Sequence, residues 1–335
     1  MRAAVLRHTA PVEQKPLQVE EVPELQPAAG EVLLKVEACG ICRTDLHIVS
    51  GELPPRLPAV IPGHQIVGRV EALGRDVTQW SKGDRVGVSW LGGTDGSCLL
   101  CRKGMENLCD HPVFTGYTVN GGYAEYAIAR ADFCIPLPEN ASAIELAPLL
   151  CAGIIGFRSL RVADVQPGDR VGLFGFGASA HLAIEVLKHW RCEVYVSTRG
   201  TSHQQLAHEL GATWVGDATQ RPPVPLDRAV TFAPSGDVVL AALASLRKGG
   251  IVGINAIHLD RMPQFDYDTL LWGERQLRSV TNMTRQDAHD FAKLAGEIGI
   301  RPRATVFTLD QVNEALAAVH HDAVNGAAVI KMDDA

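Results

Sequence analysis

Hydrophobic positions along the chain follow two different patterns. Up to about residue 150, short β-like runs are broken by Gly and Pro, as in 31–37, 66–73, 85–90 and 122–128. Short runs with frequent turn residues are typical of a barrel-like β domain. From about 153 to 288, apolar strand-like runs alternate with helical periods, beginning with the strand-like run 170–174. That alternation predicts βαβ units and a parallel sheet.

The last part of the chain returns to mixed elements. Its pattern predicts helices over 288–298 and 309–320 and strands over 305–308 and 327–331. We expect these elements to rejoin the first domain. The predicted organisation is a β-rich domain of residues 1–152 and 289–335 and a nucleotide-binding domain of residues 153–288.

Length and composition narrow the class of protein. A chain of 335 residues, 46% of them hydrophobic and 21% charged, is long enough for two domains. The formal net charge of -7 and the scattered basic residues argue against a nucleic-acid partner. The sequence has neither an apolar segment of signal-peptide type at its start nor an uncharged apolar run of 18 residues. We therefore expect a cytoplasmic protein that binds neither nucleic acid nor membrane.

A glycine-rich turn lies between the predicted strand 170–174 and the helix after it. It reads Gly175-Phe-Gly177-Ala-Ser-Ala180, a dinucleotide-binding pattern in which the glycines allow a tight turn and close approach to a pyrophosphate. The small Ala180 lets the helix pack closely on the strand. The free amides of the helix N-terminus then face the phosphates. The turn predicts a nicotinamide dinucleotide cofactor.

The end of the second strand of this domain bears on which cofactor binds. NAD sites place an acid about 20 residues after the glycines to hold the ribose 2′-hydroxyl, whereas NADP sites offer arginine. Here the strand ends in Ser197-Thr198-Arg199, so Thr198 takes the place of the acid and Arg199 can pair with a 2′-phosphate. The alternative is that Arg199 is a solvated loop residue. We predict NADP(H) over NAD(H).

Three ligand-type residues lie in segments that suit a catalytic metal. Cys39 begins Cys-Gly-Ile-Cys-Arg-Thr-Asp-Leu-His, His64 lies in Gly-His-Gln-Ile-Val-Gly, and Cys151 lies in Leu-Cys-Ala-Gly. Two cysteines and one histidine, with water in the fourth position, form a recognised catalytic zinc set. We predict that Cys39, His64 and Cys151 bind a catalytic zinc.

Cys42, Cys134 and Cys192 fall outside this pattern and are interpreted as small buried apolar residues. Thr44 and His47 lie three residues apart on a predicted helical turn, so a hydroxyl and an imidazole can share one proton path.

A second cysteine cluster has the spacing of a closed structural zinc lobe. Cys98 and Cys101 are separated by two residues, and Cys109 follows after seven more. Asp95 precedes Cys98 by the same two-residue gap, so its carboxylate is the candidate fourth ligand. The alternative is a metal-free surface loop with three thiols.

Together these segments resemble the zinc-dependent alcohol dehydrogenase family of the medium-chain dehydrogenase/reductase superfamily, over essentially the whole chain. The resemblance is carried by residues 39–47, 63–68, 95–109, 114–126, 150–153 and 175–180. It implies an α/β two-domain fold, with a GroES-like β-rich catalytic domain, a doubly wound Rossmann domain and an active site in the cleft between them. It also implies a homodimer or homotetramer.

The resemblance assigns further roles residue by residue. Asp45 matches the acid that supports the metal site, and Thr44 matches the hydroxyl that hydrogen-bonds the substrate alcohol. His47 matches the group that passes the proton to solvent, and Arg43 matches a contact to the cofactor pyrophosphate. Trp90 resembles a wall of the substrate pocket, with an ordinary core tryptophan as the alternative.

Two positions depart from the family pattern. Gln65 follows the ligand histidine where relatives commonly have Glu, and Asp95 replaces the usual first cysteine of the lobe. Neither change removes a predicted catalytic ligand.

The predicted function is hydride transfer between a nicotinamide cofactor, preferably NADP(H), and a primary alcohol or aldehyde, with zinc as the Lewis acid. One alternative is an NAD-dependent alcohol dehydrogenase. Another is a non-catalytic regulatory protein that binds nucleotide or zinc. Retention of the ligands, Thr44 and His47 argues against that second alternative.

Overall fold

The computed structural model describes Met1–Val324 and Gly326–Met332. The strands in this part of the chain, numbered in chain order, are β1 Arg2–Leu6, β2 Leu17–Glu21, β3 Glu31–Ile41, β4 Gln65–Leu73, β5 Arg85–Val88, β6 Leu91–Gly93, β7 Val113–Phe114, β8 Tyr126–Arg130, β9 Ile135–Pro136, β10 Arg170–Phe174, β11 Glu193–Ser197, β12 Trp214–Gly216, β13 Leu226–Thr231, β14 Leu246–Ile254, β15 Gln276–Ser279, β16 Ala304–Phe307 and β17 Ala327–Lys331.

The α-helices, numbered in the same way, are α1 Arg43–Ser50, α2 Leu99–Arg102, α3 Ala143–Leu146, α4 Ala152–Val162, α5 Ala178–His189, α6 Thr201–Glu209, α7 Gly236–Ala244, α8 Tyr267–Leu270, α9 Arg285–Ile298 and α10 Val312–His320. Short 3-10 helices lie at Val12–Gln14, Glu106–Leu108, Ala131–Phe133, Ala147–Leu150 and Leu309–Gln311.

The chain forms two compact units. The first takes in Met1–Cys151, Asn282–Gly296 and the residues from Arg301 onward, and the second takes in Ala152–Thr281 and Glu297–Ile300. The predicted border between residues 288 and 289 differs from this division, because it falls inside α9. Most of that helix belongs to the first unit, and its buried residues include Ala288 and Phe291.

The first unit is built around an antiparallel sheet with one parallel pair. Among its described residues the strand order is β16-β17-β3-β4-β5-β9, and β8 also pairs with β3. Only β16 and β17 run parallel within this sheet as described. Along β3, Val32, Leu34 and Val36 are buried while the residues between them are half-buried, as the two-residue period of a strand requires. The buried set belongs to one continuous core with β1, α1 and α10.

The predicted strand 122–128 begins later than expected, at Tyr126. The residues just before Tyr126 form hydrogen bonds with the loop that precedes β4. Gly122 N donates to Gly63 O at 2.9 Å, and Tyr123 N donates to Pro62 O at 3.0 Å. A Cβ on Gly121 would lie 2.0 Å from Gly63 O, so glycine is what allows this backbone approach. The two loops therefore lie against each other beside His64.

The second unit contains a fully parallel sheet. Within the described residues its order is β12-β11-β10-β13-β14-β15, which is the 3-2-1-4-5-6 arrangement of a dinucleotide-binding fold. In β10 and β11 every residue after the first is buried, as expected of strands covered on both faces. The parallel sheet predicted from the alternating pattern is confirmed.

One apolar stretch, Ala143–Val162, is long enough to cross a membrane by length and composition alone, and 67% of its most apolar window is buried. It is not one continuous helix, because α3, a 3-10 helix and α4 follow each other around a turn at Cys151. Core segments of globular proteins pass the same length test, so this stretch is weak evidence for a membrane span.

Candidate active site and metal centres

The first elements of the candidate site are the end of β3 and the start of α1. Cys42 is the N-cap residue of α1, and the Asp45 carboxylate, through Oδ2, accepts a hydrogen bond from Cys42 N at 2.9 Å. A side chain three residues into a helix that bonds back to the N-cap fixes the helix start. Leu46 and Val49 are buried in the core, so α1 is held with Thr44 and Asp45 turned inward, 9% and 0% exposed.

Three ligand-type side chains meet at this helix start. Cys42 Sγ lies 3.4 Å from His64 Nε2 and 4.0 Å from Cys151 Sγ, and all three ligand atoms lie within 4.8 Å of one another. His64 comes from the loop before β4 and is 0% exposed. Cys151 directly follows the 3-10 helix Ala147–Leu150. The structure thus brings together two of the three predicted catalytic ligands.

The structure does not group Cys39, the third predicted ligand, with His64 and Cys151; Cys42 lies there instead. Cys39 is inside β3, fully buried, and its Sγ donates to Gly40 O at 3.7 Å. Its sulfur packs against two glycines, because a Cβ built on Gly63 would lie 2.9 Å from the Cys39 Sγ and one built on Gly122 would lie 3.2 Å from it. The physical reason is that the strand continues through Ile41, so Cys39 remains a sheet residue while Cys42 stands at the turn into the helix.

The two thiols also differ in acidity. Burial raises the pKa of Cys39 well above its usual value, and the Asp45 carboxylate raises it further. The pKa of Cys42 is lowered, chiefly by a hydrogen bond from the Cys151 thiol and also by His64, against the effect of burial. Because the thiolate is the form that binds metals, Cys42 is the better ligand of the two.

Asp45 stands behind His64. Its Oδ1 lies 3.2 Å from His64 Nδ1, and both side chains are fully buried. Burial acts to lower the pKa of His64, but Asp45 and Cys42 outweigh it and raise the pKa to about 10. A carboxylate on one ring nitrogen leaves the other nitrogen directed at Cys42, which is the usual arrangement behind a metal-binding histidine. The donor set of two thiols and one supported imidazole fits zinc.

The remaining predicted residues of α1 lie in different settings. The Thr44 hydroxyl is close enough to the Cys42 sulfur to lower the pKa of that thiol by a hydrogen bond. His47, one turn later, faces Glu52 with Nδ1 and Oε2 2.6 Å apart, an acidic partner that the sequence analysis missed. Arg43 is the first residue of the helix and is exposed.

Gln65, the residue after the histidine ligand, is buried at 2% exposure, and its Nε2 has no hydrogen-bond partner among the described residues. A Cβ on Gly40 would lie 2.6 Å from Gln65 Oε1, so the amide packs against the β3 backbone. A neutral amide at this position supplies no additional charge beside the three ligands.

Trp90 belongs to an aromatic group next to His64. The two rings are 5.1 Å apart in an edge-to-face arrangement. Phe114 and Tyr117 stack on Trp90 at 4.9 and 5.9 Å, and Trp90 is only half-buried. The structure therefore places Trp90 beside the candidate ligand His64, although Phe114 and Tyr117 were not singled out from the sequence.

The four residues of the predicted cysteine lobe lie close together. Asp95, Cys98, Cys101 and Cys109 offer ligand atoms within 4.8 Å of one another. Asp95 Oδ1 accepts hydrogen bonds from Ser97 N and Cys98 N, both at 2.9 Å, and these bonds hold the pKa of the carboxyl well below its usual value. Three thiols and one ionised carboxylate fit a structural zinc.

The glycine turn lies in the second unit between β10 and α5. Gly175 has φ +89°, and a Cβ there would lie 3.0 Å from Ala233 N, so both conformation and space favour glycine. Gly177 is the exposed N-cap of α5, with open space around its Cα, and Ala180 is fully buried. The turn leaves an open helix N-terminus of the kind that binds phosphate groups.

The strand-end residues predicted to select the cofactor follow β11. Thr198 is 3% exposed and its N donates to Gly216 O at 3.0 Å. Arg199 is exposed and makes no ion pair within the part of the chain that the structure describes. Its guanidinium is therefore available to an anion.

Comparisons with known proteins agree with this geometry. Residues 28–139 match the alcohol dehydrogenase GroES-like domain. The chain is 45% identical to a probable alcohol dehydrogenase AdhA of Mycobacterium tuberculosis, over 98% of this chain and 97% of that protein. It is 35% identical to an alcohol dehydrogenase of Geobacillus stearothermophilus, over 99% and 100% of the two chains.

Among solved structures, the cobalt- and zinc-bound thermostable alcohol dehydrogenase of Pyrobaculum aerophilum matches with a TM-score of 0.87 at 25% identity, over 99% of each chain. The GroES-like and Rossmann fold class is thereby confirmed. The chain is an oxidoreductase and belongs to the alcohol dehydrogenase family of the medium-chain dehydrogenase/reductase superfamily.

Proposed function

We propose that this alcohol dehydrogenase uses zinc held by Cys42, His64 and Cys151 to interconvert primary alcohols and aldehydes with NADP(H). The observation that carries the zinc proposal is the convergence of these three side chains with Asp45 behind His64. The cobalt- and zinc-bound alcohol dehydrogenase of Pyrobaculum aerophilum, which has a similar fold, supports the choice of zinc. The chemistry that zinc supplies when bound is Lewis-acid polarisation of the substrate oxygen.

The residues of α1 supply proton transfer. Thr44 lies beside Cys42, so its hydroxyl is placed to hydrogen-bond an alcohol oxygen at the metal centre. His47 follows one helical turn later, and Glu52 holds its Nδ1. If Nδ1 carries the proton shared with Glu52, Nε2 is left to accept the substrate proton. The Thr44 hydroxyl, the His47 imidazole and the Glu52 carboxylate follow one another in this order, which allows a proton to move from the alcohol toward solvent.

The substrate slot is lined on one side by the aromatic group of Trp90, Phe114 and Tyr117. Large rings beside His64 exclude water and favour apolar substrates. Tyr117 is fixed in place, because its hydroxyl donates to Pro54 O at 2.8 Å and accepts from Arg56 Nε at 3.2 Å. This rigid wall supports a preference for primary over branched secondary alcohols.

The cofactor is held by the glycine turn of the second unit, and it supplies hydride exchange at the nicotinamide. Gly175 and Gly177 give the phosphates access to the N-terminus of α5, and exposed Arg199 supports the choice of NADP(H) through its charge. Arg43 is a further candidate contact to the pyrophosphate. We also propose a cytoplasmic homodimer or homotetramer.

Activity assays with both cofactors and a panel of aldehydes and ketones test this function. The purified protein, with zinc measured in the same sample, is expected to oxidise NADPH faster than NADH in the presence of primary aldehydes, and to reduce ketones more slowly. Equal rates with both cofactors would contradict the NADP(H) preference, and a faster rate with NADH would favour the NAD-dependent alternative. Full activity in protein from which a chelator has removed all zinc would contradict the metal proposal.

We propose a structural zinc in the lobe of Asp95, Cys98, Cys101 and Cys109. Asp95→Ala is expected to lower the zinc content by one ion per chain and the thermal midpoint by about 3 °C, since about 2 kcal/mol of stabilisation would be lost. Inductively coupled plasma mass spectrometry and calorimetry measure the two effects. Asp95→Cys is the matched control, because it restores a thiol ligand and should retain the zinc. Unchanged zinc content and midpoint in Asp95→Ala would show that Asp95 is not a ligand.

A further inference from the structure

Tyr123 is a fully buried phenol beside the candidate catalytic metal centre. It lies in the segment before β8, with its N donating to Pro62 O at 3.0 Å and its O accepting from Ala4 N at 2.8 Å. Its ring occupies the space next to Gly63, where a Cβ would lie 2.5 Å from Tyr123 Cδ1. Since Gly63 directly precedes His64, the phenol packs against the loop that carries a proposed ligand.

The hydroxyl of Tyr123 lies close enough to the Asp45 carboxylate to be affected by it, but lacks a well-formed hydrogen bond. Burial raises the pKa of this phenol well above its usual value, and the Asp45 carboxylate is the next cause. The hydroxyl makes no hydrogen bond of full geometry among the described residues. An unpaired buried hydroxyl is destabilising, so a hydroxyl kept here needs a partner in the working protein.

Two more buried polar atoms of the candidate metal centre also lack a well-formed hydrogen bond. Asp45 Oδ1 and His64 Nδ1 face each other at 3.2 Å without an aligned hydrogen bond, whereas Asp45 Oδ2 is already occupied by Cys42 N. The three unmatched atoms are two donors and one acceptor. A carboxylate oxygen accepts two hydrogen bonds, so Asp45 Oδ1 has the capacity to satisfy both Tyr123 and His64.

We propose that Tyr123 is a positioning residue of the metal centre, whose hydroxyl donates to Asp45 Oδ1 and holds that carboxylate on His64 Nδ1. This inference rests on the proposed zinc site of Cys42, His64 and Cys151. Hydrogen-bonded partners behind metal-binding histidines fix the ring orientation and commonly change metal affinity by about 10–100-fold when removed. Tyr123 acts two contacts away from the metal, so the lower end of that range applies.

Tyr123→Phe is expected to weaken zinc binding at the catalytic centre by about tenfold, because it keeps the ring beside Gly63 and removes only the hydroxyl. Zinc affinity is measured by competition with a chromophoric chelator, and the visible spectrum of the cobalt-substituted protein is expected to shift. Cys42→Ala is expected to bind metal only in the cysteine lobe, so it gives the part of the zinc affinity and of the cobalt spectrum that comes from the lobe. The matched control is Tyr126→Phe, which removes a phenol hydroxyl on β8 and should match the unmodified protein in affinity and spectrum.

A double-mutant cycle with Asp45→Asn separates positioning from packing. If Tyr123 acts through Asp45, the double variant loses little more zinc affinity than Asp45→Asn alone. Additive losses, or a Tyr123→Phe protein with unchanged zinc affinity and cobalt spectrum, would overturn the proposal. If Cys42→Ala keeps both metals, the zinc site itself is misassigned, which distinguishes failure of the proposed function from failure of the Tyr123 role.

Discussion

Replacing Cys42 with alanine is expected to lower the turnover number by about three orders of magnitude, because metal polarisation of the substrate oxygen contributes several kcal/mol and each 1.36 kcal/mol is a factor of ten. The Cys42 sulfur lies 3.4 Å from His64 Nε2 and 4.0 Å from Cys151 Sγ, so its loss leaves two of three ligands. Steady-state kinetics and metal analysis measure the effect. The zinc content should fall by one ion per chain while the lobe keeps its own.

Cys39→Ala is the matched control for this variant, since the two cysteines stand three residues apart on the same stretch of chain. Loss of the buried Cys39 sulfur is expected to lower the free energy of unfolding by about 1 kcal/mol and to leave zinc content and turnover near those of the unmodified protein. The reverse outcome, in which Cys39→Ala releases zinc and Cys42→Ala does not, would restore the ligand set predicted from the sequence.

The error over these two cysteines shows what residue spacing alone cannot decide. Cys39 and Cys42 flank Gly40 and Ile41, and either one places a thiol ahead of Thr44 and Asp45. The choice depends on where β3 ends, and strand ends are set by pairing: Cys39 is opposite Ile66 on β4 and Ile330 on β17. One local signal was available. Asp45 follows Cys42 by three residues, the spacing of a capping box, which marks Cys42 as the helix N-cap.

Elements with a strong local pattern were predictable from the sequence. β10 and β17 begin and end at the predicted residues, because each is an apolar run with polar or turn residues at its borders. The glycine turn after β10 was predictable for the same reason, since Gly175 has a positive φ of 89°, a conformation that favours glycine. Features of this kind depend only on residues that are neighbours in the sequence.

Elements that depend on distant partners were not predicted. β15 is a short edge strand, Gln276–Ser279, without a buried residue, so its sequence lacks the apolar run that marks β10. The β1–β2 pair at the start of the chain joins residues up to 19 positions apart. Glu52 was missed as the partner of His47, and Tyr123 was missed as a neighbour of Asp45, because only the folded backbone brings those side chains together.

The conformation of the loop beside His64 links these findings. Gly121 and Gly63 approach so closely that a Cβ on Gly121 would lie 2.0 Å from Gly63 O. That approach leaves Tyr123 packed against Gly63, near enough to Asp45 for the carboxylate to affect the phenol. The glycines of the segment Gly63 to Gly68 were interpreted as allowing the ring of His64 to reach a cleft. In the structure, Gly63 also allows the phenol ring to pack behind that histidine.

Arg199→Ala is expected to lower kcat/KM for NADPH by about 10–100-fold while kcat/KM for NADH changes little. A hydrogen-bonded charge pair with a phosphate contributes about 1.5–3 kcal/mol, and only NADPH carries the 2′-phosphate. Arg199 is exposed after β11 and makes no ion pair with any residue that the structure describes, so its removal breaks no ion pair there. Kinetics with both cofactors at fixed aldehyde concentration and fixed ionic strength measure the ratio.

Arg170→Ala serves as the matched control, because Arg170 stands at the opposite, amino end of the same sheet, at the start of β10. Ligands of such sheets bind at the carboxyl ends of the strands, so loss of this charge should not change the cofactor ratio. Thr198→Asp tests the same site from the other side: a carboxylate there repels the 2′-phosphate and can accept hydrogen bonds from a ribose 2′-hydroxyl, which should shift the preference toward NADH. If both Arg199→Ala and Thr198→Asp leave the NADPH to NADH ratio as it was, cofactor choice does not depend on the end of β11.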